Sequence, residues 1–493
     1  MNKYILKTLL CSALAATALT SCELDQYPET SLPAEKSWKY VSDATNYHIG
    51  ILAYLRSAVT AGRTVSELQS DLFNLRTTGT TCMQYHNWRF TSSTTDGDGA
   101  WTTNYGMISN ANNVINNIDQ IEVEEGSDDE ALIKTYKATA YFARAYAYAN
   151  MVVRYCKEYD PETADKTLGL PLVTTVDVNA KPHRSSLADT YKFICEDLTK
   201  AEELFEDKDN TDYTAPNYNV AKALEARVSL QMKDYQNAVD CAKEVIAKYP
   251  LCADKNEFKA MWLEDYSTEL IYEPQQTVDE RSTMYGVYIA FSTQLNTYNP
   301  EYLPTKGLMD LYEKNDLRYK YFFAKTGACA GDIIDENAYT LTKFPGNAEL
   351  KQTGEYEYYN MTKAFRVAEM YLIAAEAQNR IDGGGADFLN ALRTNRKASE
   401  LTGISGTALF NEIKNEWARE MCGEGFRLEC LKRWGMPCQR MQPQPLAAGF
   451  LMSNGDGFTD LNMPADDYHW VWEIPSNDLT VNKNLERNWP TEK

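Results

Sequence analysis

The sequence lacks the residue patterns that build metal centres and common active sites. Its four histidines are scattered along 493 residues, and no two cysteines form a Cys-x-x-Cys pair, so no zinc-binding spacing is present. The Gly-x-Ser-x-Gly elbow, the His-Glu-x-x-His motif and the dinucleotide fingerprint are missing as well. We therefore expect no metal, no cofactor and no enzymatic activity.

Basic residues are in short supply. The 49 lysines and arginines face 70 aspartates and glutamates, which gives a formal net charge of −21, and no basic run occurs. A strongly acidic protein repels phosphate groups, so nucleic-acid binding is excluded. The same charge weakly disfavours polyanionic ligands, although a local basic pocket could override it.

Long apolar runs are confined to the N-terminus; no later stretch approaches 18 consecutive apolar residues, so none is predicted to span a membrane. Lys3 and Lys7 flank the start of an apolar run that ends at Leu19, as in a secretory signal. Leu19-Thr20-Ser21-Cys22 then resembles the lipobox of bacterial lipoproteins, whose cysteine carries the lipid. We predict a signal peptide over 1–21, a lipid-bearing Cys22 and a turn-rich tether over 22–36.

Eleven cysteines are present. Cys11 would leave with the signal peptide and Cys22 would carry lipid, so an odd number remains and at least one thiol is free or pairs outside the chain. The disulfide pairing of the other cysteines stays open. Cys422, Cys430 and Cys438 recur every eight residues, and we expect them to be small apolar side chains in and beside one helix.

Apolar residues at helical spacing dominate the chain and predict a mainly α protein. The predicted helical segments are 37–60, 101–118, 129–155, 186–205, 219–252, 306–314, 363–398 and 407–433. Residues 219–252 form a helix-turn-helix unit in which Ala226, Ala238 and Pro250 match the tetratricopeptide pattern, whereas Lys222 and Glu225 depart from it. Paired amphipathic helices of this kind favour a superhelical scaffold.

Irregular segments interrupt the helices. Residues 62–100 are polar and loop-like, and a loop of that length is a candidate functional surface. Residues 261–360 are the least regular, and the tail after Met436 is loop-like with one possible strand over 469–474. Asp96-Gly97-Asp98-Gly99 lacks the sixth-position glycine and twelfth-position glutamate of a calcium loop, so we interpret it as a turn; whether calcium binds elsewhere stays open.

Several motifs, taken in order, resemble the SusD-like (RagB/SusD) family. Residues 366–377 carry Arg-x-Ala-Glu-x-x-Leu-x-x-Ala-Glu-Ala, and residues 413–435 carry Gly-Glu-Gly-x-Arg followed by Arg-Trp-Gly. Trp417 and Ala418 interrupt the start of the second motif, and Cys430 replaces its usual aspartate. Further resemblances lie at 101–115, 140–152, 169–173, 391–396 and 474–490, so the resemblance covers essentially the whole chain after the signal peptide.

The resemblance implies a fold and a function. Residues 37–493 would form a single domain of tetratricopeptide-like helical pairs with a loop-rich, ligand-bearing face. Its parts would be N-terminal helices and loops (37–205), a repeat-like pair (217–250), an irregular middle (261–360), a helical part (363–435) and a C-terminal tail (436–493). The protein would sit on the outer membrane at the cell surface, bind oligosaccharides or polysaccharides, and deliver them to a SusC-like TonB-dependent transporter.

Two alternatives stay open at this stage. Some members of the family capture peptides instead of glycans, and a surface glycoside hydrolase needs only two carboxylates, which 70 acids make inevitable. The identity, linkage and length of the ligand are not encoded in any motif. We expect the charged residues of the motifs, Arg366, Glu369, Glu376, Glu424 and Arg427, to pair within the helical core, because buried charges are tolerated only when paired.

A sugar site needs flat aromatic faces and a few polar groups. The segment 62–100 offers Arg76 and clusters aromatic, amide and cationic side chains at 85–89, and the middle region is rich in tyrosine. The predicted ligand-binding residues are Asp71, Tyr85, Asn87, Trp88 and Arg89 in the first segment, and Tyr285 and Tyr298 in the second.

Overall fold

The computed structural model describes residues 37–177, 179–352, 358–453 and 457–490. The predicted signal peptide, Cys22 and tether lie outside these ranges. In chain order the α-helices are α1 (Val41–Ala58), α2 (Arg63–Gln69), α3 (Met83–His86), α4 (Asp98–Asn117), α5 (Asp128–Tyr155), α6 (Leu187–Leu204), α7 (Tyr218–Gln231), α8 (Tyr235–Ile246), α9 (Lys255–Leu263), α10 (Gly286–Ile289), α11 (Lys306–Met309), α12 (Leu317–Phe322), α13 (Val367–Asp382), α14 (Ala386–Asn395), α15 (Gly406–Met421), α16 (Arg427–Arg433) and α17 (Ser476–Val481).

The long helices stack in succession. Helix α5 packs against α4 and α6, α6 packs against α7, α7 against α8, and α8 against α13, which also contacts α14 and α15. The prediction of a mainly α fold is confirmed, while the tetratricopeptide-like detail stays a prediction. In the described ranges no helix combines the length and apolarity needed to cross a membrane.

Helix α5 shows how the sequence builds this stack. The hydroxyl of Ser127 accepts the N–H of Glu130 and caps the helix, and three acidic residues follow in the first turn, where the helix dipole favours negative charge. Alanines over 138–147 are fully buried. Small side chains let neighbouring helices approach closely, so α5 can contact helices on more than one side.

The strands are short and form two-stranded antiparallel ladders. They are β1 (Phe73–Leu75), β2 (Leu270–Tyr272), β3 (Phe291–Ser292), β4 (Thr297–Tyr298), β5 (Tyr302–Pro304), β6 (Phe323–Lys325), β7 (Ala328–Ala330), β8 (Ile333–Asp335), β9 (Tyr339–Leu341), β10 (Phe365–Arg366), β11 (Cys438–Gln439) and β12 (Asn462–Met463). In the β1–β5 ladder Asn74 lies opposite Leu303, which joins the N-terminal part of the chain to its irregular middle.

The prediction that 62–100 is a polar surface loop is wrong for most of the segment. It contains α2, β1, α3 and the start of α4, and 65–75 are buried, whereas 91–96 are irregular and exposed or half-buried as predicted. Its polar side chains have partners elsewhere in the chain: the Glu67 carboxylate accepts the N–H groups of Gly423 and Gly425 at 2.7 and 2.9 Å. Polar composition therefore reflects internal hydrogen bonding here, not exposure.

The predicted single helix over 407–433 is also wrong, because α15 and α16 are separate. Gly423 and Gly425 have φ values of 78° and 88°, a left-handed region that favours glycine. A Cβ on Gly425 would lie 2.9 Å from the Arg63 Cα. The break aims two backbone N–H groups at Glu67 and lets α2 pack closely.

Two smaller boundaries differ from prediction. The helix expected over 306–314 is the single turn α11, and the prediction of a strand over 469–474 is wrong: a 3-10 turn, Tyr468–Trp470, capped by the Asp467 side chain, is followed by irregular backbone over 471–475. Asp96 and Gly97 lie in the expected turn, but α4 begins at Asp98, three residues before the predicted start. Short turns with local caps leave little periodicity in the sequence.

A network of buried ion pairs holds the C-terminal helices together. Two carboxylates of α15, Glu416 and Glu420, are fully buried. The arginines that donate to them at 2.6 to 3.2 Å are Arg318, Arg366, Arg393, Arg396 and Arg419. Buried charges of this kind are costly unless paired and hydrogen-bonded, and here both conditions are met.

The expected pairing of the motif charges is confirmed. The pairs are Arg366 with Glu424 (2.6 Å), Glu369 with Arg227 (2.6 Å), Glu376 with Arg433 (2.9 Å) and Arg427 with Asp71 (2.7 Å). The motifs that carry the resemblance are therefore structural.

Nine cysteines lie in the described ranges, all as free thiols, and Cys195 alone among them is not fully buried. Cys422 directly follows α15, Cys430 lies in α16 and Cys438 in β11. They are small buried side chains, as expected, but they lie in and beside two helices and a strand instead of one helix.

We predict that the buried ion pairs make the stability of the folded protein depend on pH. Burial would raise the pKa of Glu416, but Arg318, Arg419 and Arg393 outweigh burial and lower the pKa to about 2. Because this carboxylate is more acidic in the folded state, its stabilising contribution is complete above its ordinary pKa and is lost as pH falls toward 2. Glu416→Gln should lower the free energy of unfolding at neutral pH by about 3–5 kcal/mol, because arginines are left uncompensated.

Urea denaturation from neutral pH to pH 3 measures both effects. Glu196→Gln, on the exposed surface of α6, is the matched control and should follow the wild type. If the free energy of unfolding changed with pH in the same way in the wild type and in Glu416→Gln, the role assigned to Glu416 would be contradicted.

Candidate functional site

A cleft of about 330 Å³ opens in the loop-rich part of the molecule. Its lining residues are Arg76, Thr283, Gly286, Val287, Ala290, Asn299, Glu301, Tyr358 and Tyr359. Arg76 follows β1 and Glu301 precedes β5, and the Arg76 N–H donates to the Glu301 carbonyl at 2.9 Å. The β1–β5 ladder thus brings two distant parts of the chain into one site.

One wall of the cleft is aromatic. Tyr358 is half-buried, and its hydroxyl donates to the Tyr298 hydroxyl at 3.4 Å, with ring centroids 6.3 Å apart. Tyr298 packs edge-on against Phe291 within the β3–β4 hairpin. Burial and this hydrogen bond raise the pKa of Tyr358, so the phenol stays protonated and the ring stays neutral.

The lining of the cleft also contains a guanidinium. Arg76 is half-buried, and its Nη1 donates to the Thr78 hydroxyl at 2.6 Å. Its Nε is shielded from solvent and has no hydrogen-bond partner among the described residues. The cleft therefore contains an N–H donor, the Arg76 Nε, for which the described residues supply no acceptor.

Glu301 supplies the carboxylate of the cleft. It accepts the N–H groups of Thr80 and Thr81 at 2.7 and 2.9 Å and the Thr81 hydroxyl at 2.7 Å. Burial acts to raise the pKa of Glu301, but these hydrogen bonds, aided by Arg76, outweigh burial and lower the pKa. The ionised carboxylate fixes the 76–81 turn, and with it Arg76, against the cleft.

Asn299 completes the polar lining. Its Oδ1 accepts from the Cys329 thiol at 3.3 Å, which leaves the Nδ2 donors without a partner in the described part of the chain. An aromatic face beside open N–H donors suits a ligand that has both an apolar ring surface and oxygen acceptors. No cluster of metal-binding side chains occurs within the described ranges.

A larger cleft of about 580 Å³ lies between the end of α5 and the C-terminal tail, and it includes Tyr468 and Trp470. One of its cations is already held by the protein: Lys432 donates to the carbonyls of Val153 and Cys156 at 2.8 and 2.6 Å. Tyr468 is stacked on His469. The smaller cleft is the stronger candidate, because it places a solvent-shielded donor without a partner among the described residues, the Arg76 Nε, in the same lining as the accessible Tyr358.

Four predicted ligand residues are buried, which corrects their expected exposure. Trp88 is 2% exposed, donates from Nε1 to the Gln69 carbonyl at 2.9 Å and meets Trp470 edge-on. Tyr85 stacks on Phe90 with ring centroids 4.0 Å apart.

The other two are held as tightly. Tyr285 stacks on Phe344 at 3.8 Å, and both carboxylate oxygens of Asp71 accept from Arg427 at 2.7 and 2.8 Å. A ligand cannot reach these four side chains in this structure.

The remaining predicted residues are accessible but dispersed. Asn87 is half-buried and Arg89 is exposed, and the Asn87 Oδ1 accepts the Arg89 N–H at 3.2 Å. Neither lines the cleft, whereas Tyr298 adjoins it through Tyr358. Sequence reasoning did not select Asn299, Glu301 or Tyr358; the tyrosine-rich middle region was the available signal.

The chain is similar to known families and proteins over most of its length. Residues 180–490 match the model of the SusD family, and residues 42–230 match one described as "Starch-binding associating with outer membrane". SusD-like protein P2 of Formosa agariphila is 24% identical over 540 residues, covering 99% of this chain and 100% of that protein. Starch-binding protein SusD of Bacteroides thetaiotaomicron is 32% identical over 124 residues, which are 25% of this chain and 20% of that protein.

Solved structures share the fold. A SusD superfamily protein from Bacteroides vulgatus superposes with a TM-score of 0.76 at 22% identity, covering 92% of this chain and 100% of that chain. A SusD-like carbohydrate binding protein from the same species has a TM-score of 0.76 at 21% identity, with 92% and 99% coverage.

We predict that Trp88 acts in the core. Trp88→Ala should lower the free energy of unfolding by about 3–5 kcal/mol, because it leaves a cavity beside Trp470 and Leu428. Chemical denaturation measures the change. Tyr266→Ala, at a side chain that is 58% exposed, is the control and should change stability by no more than about 0.5 kcal/mol. An unchanged unfolding midpoint together with lost ligand binding would instead make Trp88 a contact residue.

Proposed function

The chain belongs to the SusD family, and on that premise we propose that it is a cell-surface protein that captures glycans in the cleft between Arg76 and Tyr358. The observation that carries the proposal is the pairing of an accessible aromatic ring with unused N–H donors in one cleft. The names of the relatives support it, since two of them are described as binding starch or carbohydrate.

In the proposed recognition, the aromatic ring and the polar groups of the cleft contact different parts of the sugar. The face of a sugar ring that carries C–H groups would stack on Tyr358, which Tyr298 supports from the side. Hydroxyl oxygens would accept from Arg76 and from the Nδ2 of Asn299, while the Glu301 carboxylate offers acceptor lone pairs to hydroxyl protons. A volume of about 330 Å³ lies near the lower end for ligand pockets, which suits a short part of a longer chain.

We propose that the protein binds without cleaving. Glu301 is the acid of the cleft, and its hydrogen bonds to Thr80 and Thr81 hold it ionised and fixed, which disfavours a role as proton donor. The bound glycan would pass to a SusC-like TonB-dependent transporter in the outer membrane, a location that the matched family description supports. Cys22 would anchor the chain through its lipid.

The binding proposal predicts the effect of one substitution. The protein lacking residues 1–22 is screened against arrays of polysaccharides and peptides, and reaction products are analysed for cleavage. Tyr358→Ala should weaken binding of the glycan found by about tenfold, which corresponds to about 1.4 kcal/mol, because the stacking surface is lost. Calorimetric titration measures the affinity, and an unchanged unfolding midpoint shows that the variant is folded.

Tyr266→Ala is the matched control, since it removes an exposed tyrosine outside the cleft, and it should bind like the wild type. Binding that survives both Tyr358→Ala and Asn299→Ala would place the site elsewhere, with the larger cleft at Tyr468 as the next candidate. Selective binding of peptides or release of shortened glycans would contradict the proposed function.

The anchor proposal predicts a change in location. Cys22→Ser should move the protein from the membrane fraction to the soluble fraction of the producing bacterium, because the thiol that carries the lipid is removed. Fractionation with metabolic labelling by a fatty acid measures this. Cys11→Ser is the control and should leave labelling intact; persistent labelling of Cys22→Ser would contradict the assignment.

A further inference from the structure

The cleft contains a guanidinium that forms no direct ion pair with a described carboxylate. In the described ranges no carboxylate oxygen lies within 4.0 Å of the Arg76 guanidinium. Its Nη1 donates to the neutral Thr78 hydroxyl, and its Nε and Nη2 have no hydrogen-bond partner there. These two atoms form one of the edges that a carboxylate can bridge.

Several buried arginines elsewhere in the chain have carboxylate partners. Arg144 is held by both oxygens of Asp197 at 2.7 Å, and Arg427 is held by both oxygens of Asp71. With 70 acids and 49 basic residues in the chain, a partner for Arg76 was readily available. A half-buried guanidinium without one loses hydration and gains no ion pair in return, which an anionic ligand would supply.

The carboxylate of the cleft does not fill this role. Glu301 directs its oxygens to Thr80 and Thr81, with three donors between 2.7 and 2.9 Å. It holds the turn that carries Arg76 without forming an ion pair with the guanidinium.

A second cation lies on the aromatic wall. The Lys351 Nζ is 5.5 Å from the centroid of the Tyr358 ring. The charged side chains described at the cleft are Arg76, the ionised Glu301 and Lys351 beside the Tyr358 ring, which together give one net positive charge. The local charge is therefore opposite to that of the whole chain, whose distant acids are screened beyond about 8 Å at physiological ionic strength.

We propose that this cleft selects an acidic glycan, one whose sugar residue carries an anionic substituent that pairs with Arg76. The inference rests on the proposed function and names its ligand class. A carboxylate of a uronic acid and a sulfate ester share the required chemistry, because each presents two oxygens to the Nε and Nη2 edge.

The test compares each acidic oligosaccharide with a neutral counterpart of the same backbone and linkage. Uronate-containing oligosaccharides are paired with carboxyl-reduced forms, and sulfated oligosaccharides with desulfated forms. The protein lacking residues 1–22 should bind an acidic member at least tenfold more tightly than its neutral counterpart, and added salt should reduce the difference. The pair that shows the difference identifies the anion as carboxylate or sulfate.

Variants test whether the Arg76 guanidinium causes the preference for the acidic member. Arg76→Gln should bind the acidic and neutral members equally weakly, and Arg76→Lys should keep part of the preference, since it keeps the charge and loses the planar edge. Arg380→Gln is the matched control: it removes the same charge from an exposed arginine stacked on Phe410 and should keep the full preference.

The outcomes separate this inference from the proposed function. Equal affinity for acidic and neutral members, with both lost in Tyr358→Ala, would overturn the acidic ligand class and leave glycan capture at the cleft intact. A preference retained in Arg76→Gln would also overturn it. Glycan binding unaffected by every cleft variant, or no glycan binding across both series, would overturn both.

Discussion

The Glu420 carboxylate is the point on which the C-terminal half of the structure depends. It is fully buried and accepts from Arg318, Arg366 and Arg396 at 2.9 to 3.2 Å. These arginines belong to three segments far apart in the chain, so a single position of α15 satisfies all of them at once. Such a network contributes little net stability compared with apolar packing, but an arrangement that left any of these charges buried and unpaired would be costly.

The same region determines where the cleft is built. After α15 the chain turns through Gly423 and Gly425, whose N–H groups fix Glu67 in α2. Asp71, just beyond α2, is held by Arg427, and β1 follows directly and ends next to Arg76. A rigid path of buried polar contacts therefore runs from the helical scaffold to the guanidinium of the site, which is the support that a binding group needs if its position is to be kept.

The sequence predicted the scaffold well and the site poorly, for physical reasons. Long helices such as α5 repeat the same spacing over many residues, and the motif charges pair as their burial requires. The prediction for 62–100 was largely wrong because some of its polar residues pair with residues hundreds of positions away, as Glu67 does with Gly423. Trp88 and Tyr358 are both aromatic residues in irregular sequence. Trp88 is covered by side chains distant in the chain, among them Trp470 and Leu428, whereas Tyr358 stays accessible.

The free thiols have a consequence for how the chain is produced. Burial raises the pKa of Cys82, Cys430 and Cys438 to about 12, so the folded protein presents almost no thiolate to an oxidant. The unfolded chain has no such protection, and the nine thiols of the described residues can then couple in many wrong combinations. If the chain is exported into an oxidising compartment as proposed, burial of the thiols during folding competes with their oxidation, so the rate of folding affects how much protein matures correctly.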